Sequence, residues 1–280
     1  MKTRNAARRQ QHGFSLLEML LVVGIMGIIS AGILGQMDVA QQRGYSEQVK
    51  LDDFQEARDF VDQFFRDINQ IGYPSSRLVD TTSLTWSPSL YTQTSAGTNY
   101  TWASPYITDN RMAIGLVSID NDAVQFEGDM IGNGVVQSVI YKVNGSGACP
   151  LCLQRSQVDK VAGNPLPTTS GGAQGLNWGT EVNDVLNSSA LNNGTTAYIF
   201  TYYKADGTQI PSASLPLDIS TSTLAAQTIA SIKTIKITLQ IRNNAVIDPK
   251  TNQAFETNFQ GEVSINNCSM ATTGRPESCQ

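Results

Sequence analysis

The sequence predicts an α+β protein in which one long N-terminal α-helix packs on a β-rich globular head. Three observations predict this class. The 22 residues 14–35 are mostly apolar and contain a single charge, which indicates a helix that can enter a membrane. Apolar residues then recur at helical spacing over 54–71, with polar residues on the opposite side. After Pro74, short runs alternate apolar and polar residues, which is typical of half-buried strands.

The distribution of charge excludes several classes of function. Four of the 19 Lys and Arg lie in the first 13 residues, so the remainder has 15 basic against 24 acidic residues, a net charge of −9. An acidic body lacks the basic surface that phosphates bind, so we expect no nucleic-acid partner. The one histidine, His12, lies in the basic leader. The body therefore has no Ser-His-Asp or Cys-His catalysis and no His-rich zinc site, and we expect no catalytic residue, no metal and no cofactor.

The apolar segment is long enough to span a membrane. As a helix, residues 14–35 extend about 33 Å, against a bilayer core of about 30 Å. Because the basic leader 1–13 precedes it, we expect the N-terminus in the cytoplasm and the head outside. A cleaved signal peptide is the alternative, with cleavage near Ala31. Glu18 argues against this alternative. A carboxylate in an apolar segment is costly in lipid and requires a partner, and a signal peptide that is removed has no reason to contain one.

An amphipathic stretch continues the helix into the head. We predict one helix from Phe14 to about Ile71, with Gly72 as its C-terminal cap and Pro74 preventing continuation. The predicted domains are the leader 1–13, a transmembrane helix 14–35, an amphipathic helix 36–72 and the head 73–280. The predicted buried face comprises Phe54, Ala57, Phe60, Val61, Phe64, Phe65, Ile68 and Ile71. The predicted solvent face comprises Gln55, Glu56, Arg58, Asp59, Asp62, Gln63, Arg66, Asp67, Asn69 and Gln70.

The head is predicted to be built mainly of strands. The clearest is 232–242, where Ile, Leu and polar residues alternate strictly. Residues 224–232 form a candidate short helix. Residues 75–105, 164–179 and 187–194 are rich in Gly, Ser, Thr, Asn or Pro and are predicted to be surface loops, the first with short irregular strands. The predicted strands are 112–119, 123–126, 135–143, 151–154, 197–203, 232–242 and 256–265.

Four cysteines lie in the head. Cys149 and Cys152 form a C-x-x-C pair, whereas Cys268 and Cys279 are 11 residues apart. An outward-facing head folds in an oxidising compartment, which favours structural disulfides. We expect Cys149 to pair with Cys152 by short loop closure, and Cys268 to pair with Cys279. A redox pair and half of a zinc site are the alternatives for the C-x-x-C pair.

Two other groups of residues each allow a binding and a structural interpretation. The acidic cluster comprises Asp120, Asn121, Asp122, Glu127 and Asp129. Its carboxylates would suit Ca²⁺, but we expect them to lie in solvated turns between strands. The aromatic group comprises Trp86, Tyr91, Tyr100, Trp102 and Tyr106. Its rings would stack on a sugar, but we expect them to anchor a long loop.

The run GFSLLEMLLV at 13–22, behind a short basic leader, resembles the class III signal of type IV prepilins and type II secretion pseudopilins. The resemblance implies that a prepilin peptidase cuts between Gly13 and Phe14, that Phe14 becomes N-methylated, and that Glu18 supports filament assembly. The run RDINQIGYP at 66–74 is similar to PilW-like minor pilins and J-type pseudopilins.

The resemblance implies a minor pilin of a type IV pilus, incorporated into the filament and placed in a tip or initiation complex. A J-type minor pseudopilin of a type II secretion system is the first alternative. A tip adhesin with a ligand-binding head and a signal-anchored periplasmic enzyme are the others. The implied partners are major and minor pilins, prepilin peptidase and the inner-membrane assembly platform. The implied location is the inner membrane, with a single span and a periplasmic head, and then the pilus filament.

Physical chemistry gives Glu18 a role consistent with the resemblance. Cleavage after Gly13 would create a positive amine on Phe14, one helical turn from the Glu18 carboxylate. In a bundle of parallel staggered helices, such a pair neutralises both charges at low dielectric. The small residues Gly27, Ala31 and Gly35 form a row that allows neighbouring helices to approach closely.

Overall fold

A computed structural model describes the fold of most of the chain. It describes residues 15–74, 90–95, 98–103, 110–144, 146, 149, 151–187, 198–247 and 254–266. The predicted α+β class is confirmed, with a long N-terminal helix followed by a β-rich head. The chain divides into two compact units, which we call the N-terminal unit, Met1–Leu51, and the C-terminal unit, Asp52–Gln280.

Helix α1, Leu16–Gln70, contributes residues to both units. In the N-terminal unit every side chain from 15 to 45 is exposed, including the large apolar ones. In the C-terminal unit α1 buries Ala57, Phe60, Phe64 and Ile68. The apolar face predicted for this part of the helix is therefore present, although Phe54 at its start is 40% exposed.

Strands and one short helix follow α1. Within the described residues they are β1 Leu90–Ser95, β2 Thr98–Ala103, β3 Leu116–Ile119, β4 Ala123–Gly128, β5 Gln137–Val143, β6 Leu153–Asp159, β7 Trp178–Val182, β8 Phe200–Lys204, β9 Leu217–Asp218, α2 Thr223–Ala230, β10 Ile232–Ile247 and β11 Ala254–Ser264. All strand pairs are antiparallel. The first two strands form a hairpin. The others form a six-stranded sheet of order β7-β6-β5-β4-β3-β9 and a three-stranded sheet of order β11-β10-β8.

The core of the C-terminal unit forms where α1 meets both larger sheets. The ring of Phe64 lies 5.6 Å from that of Phe200 on β8 and 5.4 Å from that of Tyr141 on β5. Phe60 lies 5.7 Å from the same tyrosine ring. Each of these side chains is at most 1% exposed. Burial of a side chain of this size is worth about 1.5–3 kcal/mol, so these rings are a major part of what holds α1 in the fold.

The C-terminal end of α1 is fixed by backbone hydrogen bonds. Gly72 has a φ of 74°, the left-handed conformation that glycine adopts most readily, as its predicted capping role requires. Its N–H donates to the carbonyl of Glu127 at 2.9 Å, and Asp129 N–H donates to the carbonyl of Tyr73 at 2.8 Å. Gly128 packs so closely on the end of the helix that a Cβ there would overlap the carbonyl of Gln70.

Several predicted boundaries are wrong, for reasons visible in the backbone hydrogen bonds. The strand predicted from 112 begins only at Leu116, because Ala113 N–H donates to the carbonyl of Pro74 and Ile114 N–H donates to the Glu127 carboxylate. Strand β10 begins at Ile232 as predicted but continues to Ile247, past the predicted end at 242. Strand β11, Ala254–Ser264, lies close to the predicted 256–265. The strand predicted as 151–154 runs from Leu153 to Asp159.

The loop predicted over 164–179 is only partly a surface loop. Leu166 is 8% exposed and Gln174 is fully buried, because the Gln174 amide exchanges hydrogen bonds with the backbone of Val161. The segment ends in β7, which begins at Trp178. The short strand β9 was not predicted, since two residues carry no periodicity. The candidate helix is present as α2, and Ser222 caps it by accepting a hydrogen bond from Ala225 N–H. Residues 188–194 of the third predicted loop lie outside the described residues.

Candidate functional site

The N-terminal unit presents an apolar helix surface with one carboxylate. Glu18 lies in the first turn of α1, where its N–H donates to the carbonyl of Ser15 at 2.9 Å. Around it, Leu17 and Leu21 are 76% and 59% exposed, and the same holds for apolar side chains along the following turns. By length and composition α1 can cross a membrane; within the described residues, it alone passes this test. Such a surface requires lipid or other helices around it.

Small residues break the apolar surface of the N-terminal unit. A Cβ placed on Gly24, Gly27, Gly32 or Gly35 would meet no atom within 4 Å. The protein's own chain therefore leaves open the row that the sequence suggests for close helix approach. Gly13 and Phe14, the predicted cleavage and methylation residues, lie outside the described residues.

A buried polar network connects α1 to the six-stranded sheet. The Asp67 carboxylate, 3% exposed, pairs with the Arg155 guanidinium at 2.7 Å and accepts a hydrogen bond from the Tyr141 hydroxyl at 2.7 Å. Arg155 Nε also donates to that hydroxyl oxygen at 3.0 Å, and Gln63 donates to Asp67 at 2.6 Å. The prediction that Asp67 faces solvent is wrong, because strands β5 and β6 cover this side of the helix.

Burial controls the protonation of this network. Desolvation raises the pKa of Tyr141 well above its usual range, and the negative charge of Asp67 raises it further. Burial lowers the pKa of Arg155, but Tyr141 and Asp67 outweigh burial and the pKa rises. Burial also raises the pKa of the nearby Glu181 carboxyl, against the lowering effect of Arg155. The network therefore keeps a neutral phenol and a charged guanidinium, as a structural link requires.

Two members of the acidic cluster are buried, so the prediction of solvated turns is wrong for them. The Glu127 carboxylate pairs with Lys160 Nζ at 2.7 Å, and neither side chain is exposed. Lys160 also donates to the carbonyl of Met112 at 2.9 Å. Asp129, 5% exposed, accepts hydrogen bonds from the backbone N–H groups of the following loop, 132–134. Amides thus satisfy the Asp129 carboxylate, whereas Glu127 pairs with Lys160 through Oε2 and its buried Oε1 has no hydrogen-bond partner among the described residues.

The rest of the cluster lies at the turn before β4. The Asp120 carboxylate accepts a hydrogen bond from Asn121 N–H at 2.7 Å. Desolvation raises the pKa of Asp122, and the charge of Asp120 adds to this effect. In the part of the chain that the structure describes, no three His, Cys, Asp or Glu side chains come together as a metal site would require.

A disulfide joins Cys149 and Cys152. The buried sulfur of Cys152 lies 3.3 Å from Oδ1 of Asn183. The backbone and side-chain nitrogens of Asn183 both donate to the Glu56 carboxylate on α1, at 2.8 and 3.0 Å. The disulfide therefore lies beside a second polar contact between the sheet and the helix. Cys268 and Cys279 lie outside the described residues, as do the side chains of the aromatic group over 86–106.

The comparisons with known proteins concern the N-terminal segment. Residues 8–34 match the family model of the prokaryotic N-terminal methylation motif. Neither a curated protein nor a solved structure matches the chain. The motif together with the long apolar helix fits type IV pilin-like proteins, a class that is typically structural. It implies processing by a prepilin peptidase and association with the membrane and pilin assembly, and one apolar helix is consistent with a single-span anchor.

Proposed function

We propose that this protein is a minor pilin of a type IV pilus. In this proposal prepilin peptidase removes residues 1–13, Phe14 becomes the methylated N-terminus, and residues 14–35 hold the protein in the inner membrane. The head then faces the periplasm until the subunit enters the filament, in a tip or initiation complex. Its partners are other pilins, the peptidase and the inner-membrane assembly platform.

The observation that best supports the proposal is the surface of the N-terminal unit. The methylation motif coincides with the stretch of α1 in which every apolar side chain is exposed, with a carboxylate in the first turn and open glycine positions along it. This is the surface that a bundle of parallel helices needs. The apolar side chains supply contact area, the glycines allow close approach, and Glu18 pairs with a neighbouring N-terminal amine.

Intact-mass measurement of the protein purified from its native membrane tests the proposed processing. The expected mass corresponds to a chain that starts at Phe14 and carries one added methyl group. A Gly13→Leu variant, in which the small residue before the cut is replaced, is expected to keep its leader. A mature chain that begins beyond the apolar segment, near Ile33, would show an ordinary signal peptide and would contradict the proposal.

A deletion strain distinguishes the pilus from a secretion apparatus. Loss of the gene is expected to reduce surface piliation and to leave secretion of exoproteins unchanged. The J-type pseudopilin alternative predicts the reverse, since a pseudopilin acts in type II secretion. Complementation with the wild-type chain controls for effects on neighbouring genes.

A further inference from the structure

Strand β11 is a long edge strand whose charged residues are the two acids Glu256 and Glu262. It lies at one end of the order β11-β10-β8, and ten consecutive pairs join it to β10 without a register shift, from Ser264 to Phe255. Its 11 residues, AFETNFQGEVS, contain neither proline nor lysine. Natural sheets usually block such edges with proline, lysine or a bulge, because an unpaired edge is a template for another strand.

The hydrogen bonds of β10 show which backbone groups of β11 point outward. Thr238 N–H donates to the carbonyl of Ile199, and Arg242 N–H donates to the carbonyl of Asp184, so both turn away from β11. The odd-numbered residues of β10 therefore form the hydrogen bonds to β11. The β11 residues opposite Thr238 and Arg242 make no hydrogen bond to β10, so their N–H and C=O groups point to the free edge. In β11 these outward residues are Glu256, Asn258, Gln260, Glu262 and Ser264.

The free edge has no backbone partner among the residues that the structure describes. Its inner side is flanked by a partly exposed aromatic cluster. The ring of Phe54, 40% exposed, lies 5.5 Å from that of Phe259 and 6.0 Å from that of Phe255. Its outer side has two exposed carboxylates six residues apart, Glu256, which is ion-paired with Arg242 of β10, and Glu262.

We propose that this edge binds an extended segment of another protein by strand addition. The added strand would place apolar side chains against the aromatic cluster and Lys or Arg beside Glu256 and Glu262. On the outer face these acids lie opposite Arg242 and Lys236 of β10, so a basic added strand continues an alternation of charge across three strands. Backbone hydrogen bonds would provide affinity, and the alternating side chains specificity.

The same charges disfavour two of the registers in which a second copy of this chain could pair with the edge. An antiparallel β11 pair centred on Phe259 would place Glu256 opposite Glu262, and a parallel in-register pair would place each acid opposite itself. Like charges directly opposite each other destabilise a sheet. The binding site requires neither processing at Gly13 nor a filament, so its test is independent of the proposed function.

A designed peptide tests the site on the full-length chain in detergent micelles. The probe is a fluorescein-labelled 11-residue peptide of alternating Val and Thr, with two of the Thr replaced by Lys at the positions beside Glu256 and Glu262. The matched control peptide has Glu in place of both Lys. Fluorescence anisotropy is expected to show that the Lys peptide binds at least ten-fold more tightly than the Glu peptide. Absence of binding by the Lys peptide would overturn the proposal.

Two protein variants show whether the edge itself is the site. Gln260→Pro removes an outward N–H and leaves the ladder to β10 intact, whereas Gln260→Thr keeps the N–H. Binding of the Lys peptide is expected to weaken at least ten-fold in the proline variant relative to the threonine variant. In Glu262→Lys, the preference for the Lys peptide over the Glu peptide is expected to narrow at least three-fold because the Glu peptide binds more tightly, a gain that a misfolded strand would not produce.

Two results would contradict the proposal at this stage. Equal binding of the Lys peptide to Gln260→Pro and Gln260→Thr would show that the peptide binds elsewhere. Sedimentation that shows a dimer of the wild-type chain, lost in Gln260→Pro and retained in Gln260→Thr, would identify a second copy as the occupant.

Discussion

Helix α1 exposes its apolar side chains in the N-terminal unit and buries them in the C-terminal unit. In the N-terminal unit Leu20 and Ile28 are 65% and 76% exposed, whereas in the C-terminal unit Phe64 and Ile68 are completely buried. Each buried Å² of apolar surface is worth about 25 cal/mol, so the second stretch is stabilised by its own chain and the first is not. The N-terminal surface is therefore available for contacts outside the chain, which the proposed function assigns to lipid and then to other helices.

Truncation of one large side chain in each unit is expected to give the largest difference in unfolding free energy. Phe64→Ala is expected to lower the free energy of unfolding of the C-terminal unit by about 3–5 kcal/mol, because a cavity replaces a ring packed between two sheets. Leu20→Ala is the matched change in the N-terminal unit and is expected to change the free energy of unfolding by less than about 0.5 kcal/mol. Denaturation of the full chain in detergent, followed by tryptophan fluorescence, measures both. Equal losses would show that the two stretches are not distinct.

The buried pair of Glu127 and Lys160 provides a second large effect confined to the C-terminal unit. Lys160→Met is expected to cost about 3–5 kcal/mol of unfolding free energy, because it leaves a fully buried carboxylate without its counter-charge. Lys142→Met, at an exposed position on β5, is the control and should cost less than about 0.5 kcal/mol. The same denaturation experiment applies. A Lys160→Met protein as stable as wild type would mean that the pair contributes nothing to the fold.

Glycines of the two units should respond oppositely to an added methyl group. Gly128→Ala is expected to destabilise the C-terminal unit by about 1–3 kcal/mol, since its Cβ would overlap the end of α1. Gly24→Ala has open space around it and replaces a poor helix former, so no loss of unfolding free energy is expected. Thermal unfolding in detergent compares the two variants. A stable Gly128→Ala protein would show that the helix end is loosely packed.

The smallest expected effect is on pH dependence. Burial raises the pKa of Glu181 above its ordinary value of 4.5 and nearby Asp67 raises it further, while Arg155 opposes both. A carboxyl with a raised pKa binds its proton more tightly in the folded state, so its contribution to stability is present at low pH. That contribution is lost as the pH rises through the folded-state pKa. Glu181→Gln should therefore lose less stability than wild type between pH 4.5 and neutral pH. Identical pH profiles of unfolding free energy would contradict this assignment.

Periodic features of the fold could be predicted from the sequence. The alternation of apolar and polar residues in β10 and the helical spacing of Phe60, Phe64 and Ile68 are local signals, and the structure contains both elements. The methylation motif is also local, a short run of residues behind a basic leader. For these features, neighbouring residues contain all the information that the prediction needs.

Contacts between distant residues could not be predicted in this way. Helical periodicity predicts that Asp67 faces solvent, because it lies on the same side of the helix as the other polar residues. In the structure Arg155, 88 residues later, covers it. Glu127 was assigned to a solvated turn, yet it pairs with Lys160, 33 residues later. Burial of a charge depends on which strands lie opposite, and periodicity along one element says nothing about that.

The proposed function requires that the N-terminal unit assembles with other helices while the C-terminal unit folds by itself. Glu18→Ala tests it most directly, with Asp38→Ala, another exposed carboxylate of α1, as the matched control. Under the proposed function, Glu18→Ala should leave insertion and the fold intact but remove the partner of a neighbouring N-terminal amine, which would weaken assembly by about 3–5 kcal/mol. Quantification of the protein in sheared filaments and in membranes is the measurement. The account predicts that Glu18→Ala stays at wild-type level in membranes and is missing from filaments, whereas Asp38→Ala is present in both. Normal incorporation of Glu18→Ala into filaments would contradict it.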